Sequence, residues 1–307
     1  MKQLIVITGA TACGKTSVSV EIAKKLRTEV ISCDSRQFYK EMSIGTAKPT
    51  TKEMDGVKHH FVDSHSIQEE INAGKYENLV LPLLDELFKK YDSVILTGGS
   101  GLFIDAVVNG FDHMPTVTPE TRTQLNQVFE EQGIAPLFAQ LQKLDPEYAQ
   151  IVDAQNPKRI IRALEVCLST NKTYTELRTG NKAQRSFRTI KFVLDHPREQ
   201  LYERINTRVD VMMDMGLEDE CRSLIPHKHL NALQTVGYKE LFDYFDHKIT
   251  REKAIELIKR NSRRYAKRQL TWFRRDPEYH WIDAPGIPQI MELILTDQKT
   301  NTILPHQ

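Results

Sequence analysis

The N-terminal segment is Leu4-Ile5-Val6-Ile7-Thr8-Gly9-Ala10-Thr11-Ala12-Cys13-Gly14-Lys15-Thr16. Its apolar start, residues 4–7, predicts a short buried strand that ends in a turn. Residues 9–16 then match the P-loop pattern GxxxxGK followed by Ser or Thr. In such a loop, backbone amides curl around phosphate oxygens, and the next helix adds the positive end of its dipole. The predicted phosphate-binding residues are Gly9, Ala10, Thr11, Ala12, Cys13, Gly14, Lys15 and Thr16, with the Thr16 hydroxyl as a ligand of Mg²⁺.

Strands and helices alternate along the rest of the chain. Residues 15–27 and 75–90 have helical spacing of apolar residues, and four further apolar runs predict strands. These runs are residues 30–33, 93–97, 190–194 and 280–282. The alternation predicts an α/β fold of the P-loop, nucleoside-kinase-like class, with a mostly parallel sheet and helices on both faces.

The third and fourth predicted strands are separated by about 90 residues, far more than an ordinary crossover connection. This segment begins with a Pro- and Thr-rich turn and continues with charged helical patterns. We therefore predict a mainly helical insertion domain over residues 114–188. Residues 1–113 and 189–307 then form the P-loop core, which ends in basic helices.

Charge is balanced over the chain but not along it. The sequence has 42 Lys and Arg against 41 Asp and Glu, a formal net charge of +1. Residues 251–275 alone contain ten Lys or Arg and only two acidic residues. Such a stripe is typical of a local phosphate-binding surface, although a solvated basic helix face is the simpler alternative.

The four cysteines form no CxxC pair, which disfavours a structural zinc site, and they fit a reducing compartment. The apolar run at residues 4–7 is too short for the core of a signal peptide or for a membrane span. We therefore expect a cytoplasmic protein without a membrane segment.

A second acidic residue usually closes an apolar strand in hydrolytic P-loop enzymes. The third strand here ends Leu96-Thr97-Gly98-Gly99-Ser100, without a carboxylate, whereas Asp34 closes the second strand. Because ligands bind at the carboxyl ends of strands in such sheets, we expect Asp34, Ser100 and the P-loop to converge. Asp34 is then a candidate general base, and the alternative is an N-cap of the following helix.

At several positions the sequence resembles the tRNA dimethylallyltransferases of bacteria, also called tRNA isopentenyltransferases. The resemblance spans essentially the whole chain and depends on several blocks in the same order. Besides the P-loop, these are Asp34-Ser35-Arg36-Gln37, Ile44-Gly45-Thr46-Ala47-Lys48-Pro49, His59-His60-Phe61-Val62-Asp63, Gly98-Gly99-Ser100-Gly101-Leu102-Phe103, Asn156-Pro157-Lys158-Arg159, Arg162-Ala163-Leu164-Glu165, Val236-Gly237-Tyr238 and Lys267-Arg268-Gln269-Leu270-Thr271-Trp272-Phe273-Arg274.

The resemblance implies that the P-loop, with Mg²⁺, holds the diphosphate of dimethylallyl diphosphate. The acceptor is the exocyclic N6 amine of the adenosine 3′ of the tRNA anticodon, and diphosphate is released. The missing strand-end carboxylate is understandable because no phosphoryl group is transferred. The resemblance also implies a monomer that binds the anticodon stem-loop.

Residue roles follow from the same resemblance. Asp34 matches the general base, Ser100 replaces the usual Thr near the reacting centre, and Arg122 matches an arginine that contacts the RNA. Arg208 matches a diphosphate ligand, while Phe103 replaces a Tyr and is assigned packing only. The residues implied to bind tRNA are Asp34, Ser35, Arg36, Gln37, Lys158, Arg159, Ile160, Ile161, Arg162, Gly237, Tyr238, Lys267, Arg268, Gln269 and Arg274.

Two other functions share parts of this pattern. A small-molecule or nucleoside kinase has the same P-loop, parallel sheet and lid-like insertion, but requires ATP turnover and an arginine-rich lid. An RNA-binding NTPase switch predicts RNA affinity that depends on a nucleotide.

Overall fold

A computed structural model describes residues 2–112, 114–115, 117–180 and 182–302, with side chains up to residue 298. The chain forms two compact units, one of Met1–Val108 with Gln184–Gln307 and the other of Asn109–Ala183. The predicted insertion was residues 114–188, and residue 113 at its boundary lies outside the described residues. The second unit begins earlier because the preceding helix ends at Asn109, and it ends earlier because the next strand starts at Arg188.

The first unit contains a six-stranded sheet in the described part of the chain. Its strands are β1 Gln3–Gly9, β2 Val30–Ser32, β3 His59–His60, β4 Ser93–Gly98, β5 Arg188–Asp195 and β6 Tyr279–Asp283. Their order is β3-β2-β4-β1-β5-β6, and every neighbouring pair is parallel. The five predicted strands are confirmed, while β3 was not predicted because two histidines form no apolar run.

The helices of the described residues follow in chain order. They are α1 Lys15–Leu26, α2 Thr51–Met54, α3 Ala73–Lys90, α4 Gly101–Asn109, α5 Pro119–Gln132, α6 Ile134–Leu144, α7 Pro146–Ile151, α8 Pro157–Thr170, α9 Tyr174–Leu177, α10 Arg198–Asp214, α11 Leu217–Ser223, α12 Tyr238–Phe245, α13 Arg251–Phe273 and α14 Ile287–Thr302. Short 3₁₀ turns lie at Ile225–His227 and Asn231–Leu233.

The central strand β1 is buried on both faces because successive side chains of a strand point in opposite directions. Leu4 and Val6 pack with α3 and α4 in one hydrophobic cluster. Ile5 and Ile7 pack with α1, α10 and α14 in another. This arrangement confirms the predicted α/β fold, a parallel sheet with helices on both faces.

A third hydrophobic cluster joins α10, α11, α12 and α13 to the chain between β2 and β3. Met42 from that connection is completely buried in the cluster, together with Leu217 of α11 and Leu241 of α12. The cluster thereby fixes the connection beside the carboxyl ends of the strands.

The second unit contains α5 to α9 and has a hydrophobic core of its own. Leu137 and Leu141 of α6 pack there with Ile160 and Leu164 of α8. Both helices are amphipathic, and apolar residues three or four apart lie on one face. Among the described residues, no helix has the length and apolar character needed to span a membrane.

Candidate active site

The P-loop turns tightly between the end of β1 and the start of α1. Gly14 has a φ of 93°, in the left-handed region that residues with a side chain avoid. The Lys15 Nζ donates to the carbonyl oxygens of Gly9 at 3.1 Å and Ala10 at 2.7 Å. Since the first amides of a helix lack partners within it, the start of α1 directs N–H groups toward an anion.

Two arginines of α10 lie beside the P-loop. Arg204 donates from Nε to the carbonyl oxygen of Ala12 at 2.8 Å. Arg208 lies one helical turn further on, and no hydrogen bond or ion pair joins it to another described residue. Burial lowers the pKa of Arg208, because desolvation disfavours its charged form. A partly buried guanidinium without a carboxylate partner favours a bound anion.

Both arginines line a cavity of about 550 Å³ that also contains the P-loop. Lys15 and Thr16 lie on its wall together with Asp34 and Gln37. A smaller adjoining cavity of about 230 Å³ shares Asp34 and Arg208 with the first. The P-loop and the carboxylate after β2 therefore face one cleft at the carboxyl ends of the strands.

Asp34 is held in a turn and does not cap a helix. Its Oδ1 accepts a hydrogen bond from the Arg36 N–H at 3.1 Å, and the next described helix begins only at Thr51. Ser100 supports the same turn, because its Oγ accepts from the Ser35 N–H at 3.2 Å and lies 3.3 Å from the Ser35 hydroxyl. The structure thus brings Asp34 and Ser100 together.

Tyr265 of α13 is a site residue that the sequence reasoning missed. It lines both cavities, and its hydroxyl lies near Ser100 and Asp34. Desolvation of the hydroxyl by the surrounding protein, and then the negative charge of Asp34, raise the pKa of Tyr265 although the residue as a whole is 36% exposed, so the hydroxyl keeps its proton. Its spacing of four residues from Gln269, which puts both on one helix face, was the available signal.

Comparison with known proteins identifies the family of this chain. The family model for IPP transferases matches residues 37–276. The tRNA dimethylallyltransferase of Cytophaga hutchinsonii is 49% identical over 293 residues, covering 95% of this chain and 96% of the relative. The chain belongs to the tRNA dimethylallyltransferase family.

Solved structures agree with this assignment. A full-length tRNA isopentenylpyrophosphate transferase from Bacillus halodurans is 38% identical, with a TM-score of 0.71 over 97% of this chain and 96% of that one. A eukaryotic dimethylallyltransferase acting on tRNA has a TM-score of 0.83 at 26% identity, over 98% of this chain and 80% of that one. The resemblance to tRNA dimethylallyltransferases drawn from the sequence is confirmed.

Two of the residues that the sequence resemblance implies to bind tRNA have buried side chains. Gln269 is 6% exposed; its Oε1 accepts from the Thr11 N–H at 2.8 Å, and its Nε2 donates to the Gly99 carbonyl oxygen at 2.9 Å. Tyr238 is fully buried and donates to Glu220. Sequence blocks group consecutive residues, but successive side chains of a helix are rotated by about 100°, so buried and exposed residues occur within one block. The Thr11 amide is likewise already bonded, and Thr11 instead lines the cavities.

Arg122, for which the sequence resemblance implies an RNA contact, lies in the second unit. Its guanidinium forms a salt bridge with the completely buried Glu165, to which its second bond measures 3.0 Å. Arg162 also reaches Glu165, at 3.3 Å. One buried carboxylate thus fixes two partly exposed arginines, and sequence reasoning gave Glu165 no role.

The residues of α8 that the resemblance implies to bind RNA lie on two different faces of the helix, one exposed and one buried. Lys158 and Arg159 are exposed, whereas Ile160 and Ile161 pack in the hydrophobic core of the second unit. The two isoleucines are therefore corrected to core residues, since their side chains are not available to RNA.

The basic residues near the end of α13 lie on the surface of the first unit. Lys267, Arg268 and Arg274 are exposed. The Arg268 guanidinium lies 5.8 Å from the Tyr265 ring centroid, and that of Arg274 lies 5.2 Å from the Trp281 ring centroid. Gly237 lines the smaller cavity. These exposed charged residues are accessible to phosphates, whereas Gln269 of the same helix is buried.

Proposed function

We propose that the protein transfers the dimethylallyl group of dimethylallyl diphosphate to the exocyclic N6 amine of the adenosine 3′ of a tRNA anticodon. Diphosphate is the second product. One observation carries the proposal: a single cavity contains the P-loop, the unpaired Arg208 and the Asp34 carboxylate. Membership of the tRNA dimethylallyltransferase family supports the choice of donor and acceptor.

The phosphate-facing end of the cavity binds the donor. Lys15, the amides at the start of α1 and the Arg208 guanidinium hold the diphosphate. Because the same positive charges face the oxygen that becomes negative as the allylic bond breaks, they also stabilise the leaving group.

The residues at this end fit a Mg²⁺ ion that is completed by substrate. Thr16 lines the cavity beside Lys15, and the described residues contain no group of three His, Cys, Asp or Glu side chains able to hold a metal alone. Mg²⁺ usually keeps several waters and takes other oxygens from substrate phosphates, so one Thr hydroxyl is a sufficient protein ligand. When bound, the ion supplies charge neutralisation to the diphosphate.

The reaction is a displacement at the allylic carbon of the donor. The N6 nitrogen forms a bond to that carbon, the carbon–oxygen bond breaks, and its electron pair leaves with the diphosphate. The nitrogen loses a proton, which the Asp34 carboxylate accepts as general base. Ser100 supports this geometry, because it holds the turn that carries Asp34, and Tyr265 lines the cavity beside that turn.

The acceptor reaches Asp34 only if the adenine leaves the stack of the anticodon loop, which costs a few kcal/mol. The turn formed by Asp34, Ser35, Arg36 and Gln37 receives the extracted base. Lys267, Arg268 and Arg274 position the RNA backbone through its phosphates. Arg122, Lys158, Arg159 and Arg162 of the second unit provide further RNA contacts.

One copy of the chain is sufficient for this chemistry, since every proposed catalytic residue belongs to it, and we expect a monomer. A substrate tRNA and four buried free cysteines are consistent with a reducing cytoplasm. A kinase is disfavoured, because β4 ends at Gly98 and is followed by Gly99, without the carboxylate that manages magnesium in nucleotide hydrolysis.

A label-transfer assay tests the proposal. The protein is incubated with unmodified tRNA, labelled dimethylallyl diphosphate and Mg²⁺, without ATP. We expect the label in tRNA and, after digestion, in one adenosine derivative. Unlabelled tRNA together with ATP hydrolysis in a parallel reaction would refute the proposed transferase.

A further inference from the structure

We propose that Glu220 is a positioning residue that holds the 43–47 loop in the shape required to receive the target base. The 43–47 loop is the part of the connection between β2 and β3 formed by residues 43–47. The inference deepens the proposed function and rests on it for the identity of the RNA. It assigns a role to a carboxylate that lies outside the reacting centre.

The Glu220 carboxylate binds three consecutive backbone N–H groups of this loop. Its Oε2 accepts from Ser43 at 2.9 Å and Ile44 at 2.8 Å, and its Oε1 accepts from Gly45 at 3.0 Å. Hydrogen bonds to an ionised acceptor are about twice as strong as neutral ones. Three of them on adjacent amides fix the path of the backbone, which no helix or strand constrains here.

Tyr238 of α12 donates a further hydrogen bond to the same carboxylate. We call Glu220, Tyr238 and the loop amides that Glu220 binds the Glu220 clamp. The Tyr238 hydroxyl donates to the Glu220 Oε1 at 2.6 Å, and the Tyr238 side chain is fully buried. The loop lies directly on its ring, because a Cβ added at Gly45 would be 2.5 Å from the Tyr238 Cε2. Only glycine allows this close approach. The backbone of the loop is therefore bound by Glu220 and packs directly against the Tyr238 ring.

Gln37 connects the 43–47 loop to the turn that carries Asp34. The Gln37 Nε2 donates to the carbonyl oxygens of Thr46 and Ala47, at 3.2 Å each. Gly45, Thr46 and Ala47 line the smaller cavity beside Asp34, and Ser43, Ile44, Thr46 and Ala47 line the larger one. A shift of the 43–47 loop therefore moves a wall of both cavities and Gln37, the last residue of the Asp34 turn.

The consequence is specific to the acceptor. The phosphate-binding residues belong to β1, the P-loop, α1 and α10, and no hydrogen bond between described residues joins them to Glu220 or to the 43–47 loop. Loss of the Glu220 carboxylate should therefore weaken productive tRNA binding and leave the groups that bind inorganic diphosphate in place. This separation distinguishes positioning from general stabilisation of the fold.

The test compares Glu220→Gln with two matched controls. Glutamine keeps the size of the side chain but turns one acceptor oxygen into an amide donor, which opposes a backbone N–H. Glu218→Gln changes a carboxylate on the same helix that only pairs with Arg222 and Arg251 on the surface. Tyr238→Phe removes one hydrogen bond of the clamp and leaves the ring in place.

We expect Glu220→Gln to raise the KM for tRNA about tenfold or more, the loss expected for charged hydrogen bonds. Calorimetric binding of inorganic diphosphate with Mg²⁺ should be unchanged. Hydrogen exchange should accelerate in a peptide that covers residues 43–48 and not in peptides of β1 or α1. Tyr238→Phe should show a smaller change of the same kind, and Glu218→Gln none.

Unchanged exchange in residues 43–48 together with an unchanged KM for tRNA would overturn the proposal. Equal losses in diphosphate binding and in exchange protection across the first unit would also overturn it, by showing a general structural role. If wild-type protein does not prenylate tRNA, the proposed function fails. The exchange and diphosphate measurements still decide whether the clamp exists, because neither requires turnover.

Discussion

The phosphate-facing end of the cavity is formed mostly by one continuous segment, residues 9–16, whereas the end at Asp34 is assembled from residues far apart in the sequence. Asp34 belongs to a turn that is held by Ser100 and Gln37. Tyr265 of α13 lines the smaller cavity together with that turn. We call the phosphate-facing end the donor end and the end at Asp34 the acceptor end. Binding at the donor end should depend mainly on charge, whereas reaction at the acceptor end should depend mainly on the exact position of Asp34. Substitutions at the two ends should affect different steps of the reaction.

The largest effect is expected at the centre of the acceptor end. Asp34→Asn removes the base but keeps an oxygen that can accept from the Arg36 N–H, so the turn should persist. General-base catalysis typically contributes about 10² to 10⁴-fold, and turnover should fall within this range. Single-turnover kinetics and tRNA binding, compared with the surface variant Asp92→Asn, provide the check. A loss of tRNA affinity that accounts for the whole defect would reassign Asp34 to structure.

At the donor end, Arg208→Gln should weaken diphosphate binding. A hydrogen bond to a charged group contributes about 1.5 to 3 kcal/mol, which corresponds to a loss of affinity of about ten- to a hundredfold. Calorimetry with inorganic diphosphate and Mg²⁺ measures this loss, and Arg222→Gln on the surface is the control. Affinity for tRNA should not change. An equal loss for both ligands would contradict the separation of the two ends.

A smaller effect is expected for Tyr265→Phe, which removes a hydroxyl near Ser100 and Asp34 that can form one neutral hydrogen bond in the cavity. One neutral hydrogen bond is worth about 0.5 to 1.5 kcal/mol, so kcat should fall about two- to tenfold. The raised pKa of Tyr265 keeps its proton in place, since deprotonation would occur only well above the ordinary value. The ratio of variant to wild-type kcat should therefore be constant from about pH 6 to 9. A ratio that varies within this window would identify Tyr265 as a titrating group.

The smallest effect is expected for a substitution on the basic protein surface outside the cavity, which we propose to contact the RNA. Lys267→Gln should lower tRNA affinity modestly and reduce the salt dependence of binding by about one unit of slope. Titrations at several salt concentrations measure the slope. Lys253→Gln is the control, because that lysine lies on the same helix and pairs with Glu256. An unchanged slope would remove Lys267 from the RNA interface.

The sequence predicted the local structure of the P-loop because the information for it is local. A strand, a glycine-containing turn and a helix start follow one another within residues 4–16, as predicted, and the binding of phosphate there stays a prediction. The parallel sheet was predicted for the same reason, since each main strand is a continuous apolar run. The strand β3 was missed because its two residues, His59 and His60, depend on pairing with β2.

The acceptor end could not be predicted to the same depth, because contacts between distant residues determine it. Gln269 lies between two exposed basic positions in sequence but points inward to the P-loop. Tyr238 follows the cavity residue Gly237, yet its hydroxyl belongs to the clamp on Glu220. Helix faces, and not consecutive residues, decide these roles, and only the tertiary structure assigns each face to the cavity, the core or the solvent.

The most direct test is a crystal structure of the complex with an anticodon stem-loop RNA, Mg²⁺ and an unreactive thio-analogue of dimethylallyl diphosphate. The account predicts the diphosphate beside Lys15, Arg208 and the amides at the start of α1, and the extracted adenine with its N6 nitrogen within hydrogen-bond distance of the Asp34 carboxylate. A diphosphate bound elsewhere, or an Asp34 carboxylate directed away from the adenine amine, would contradict it.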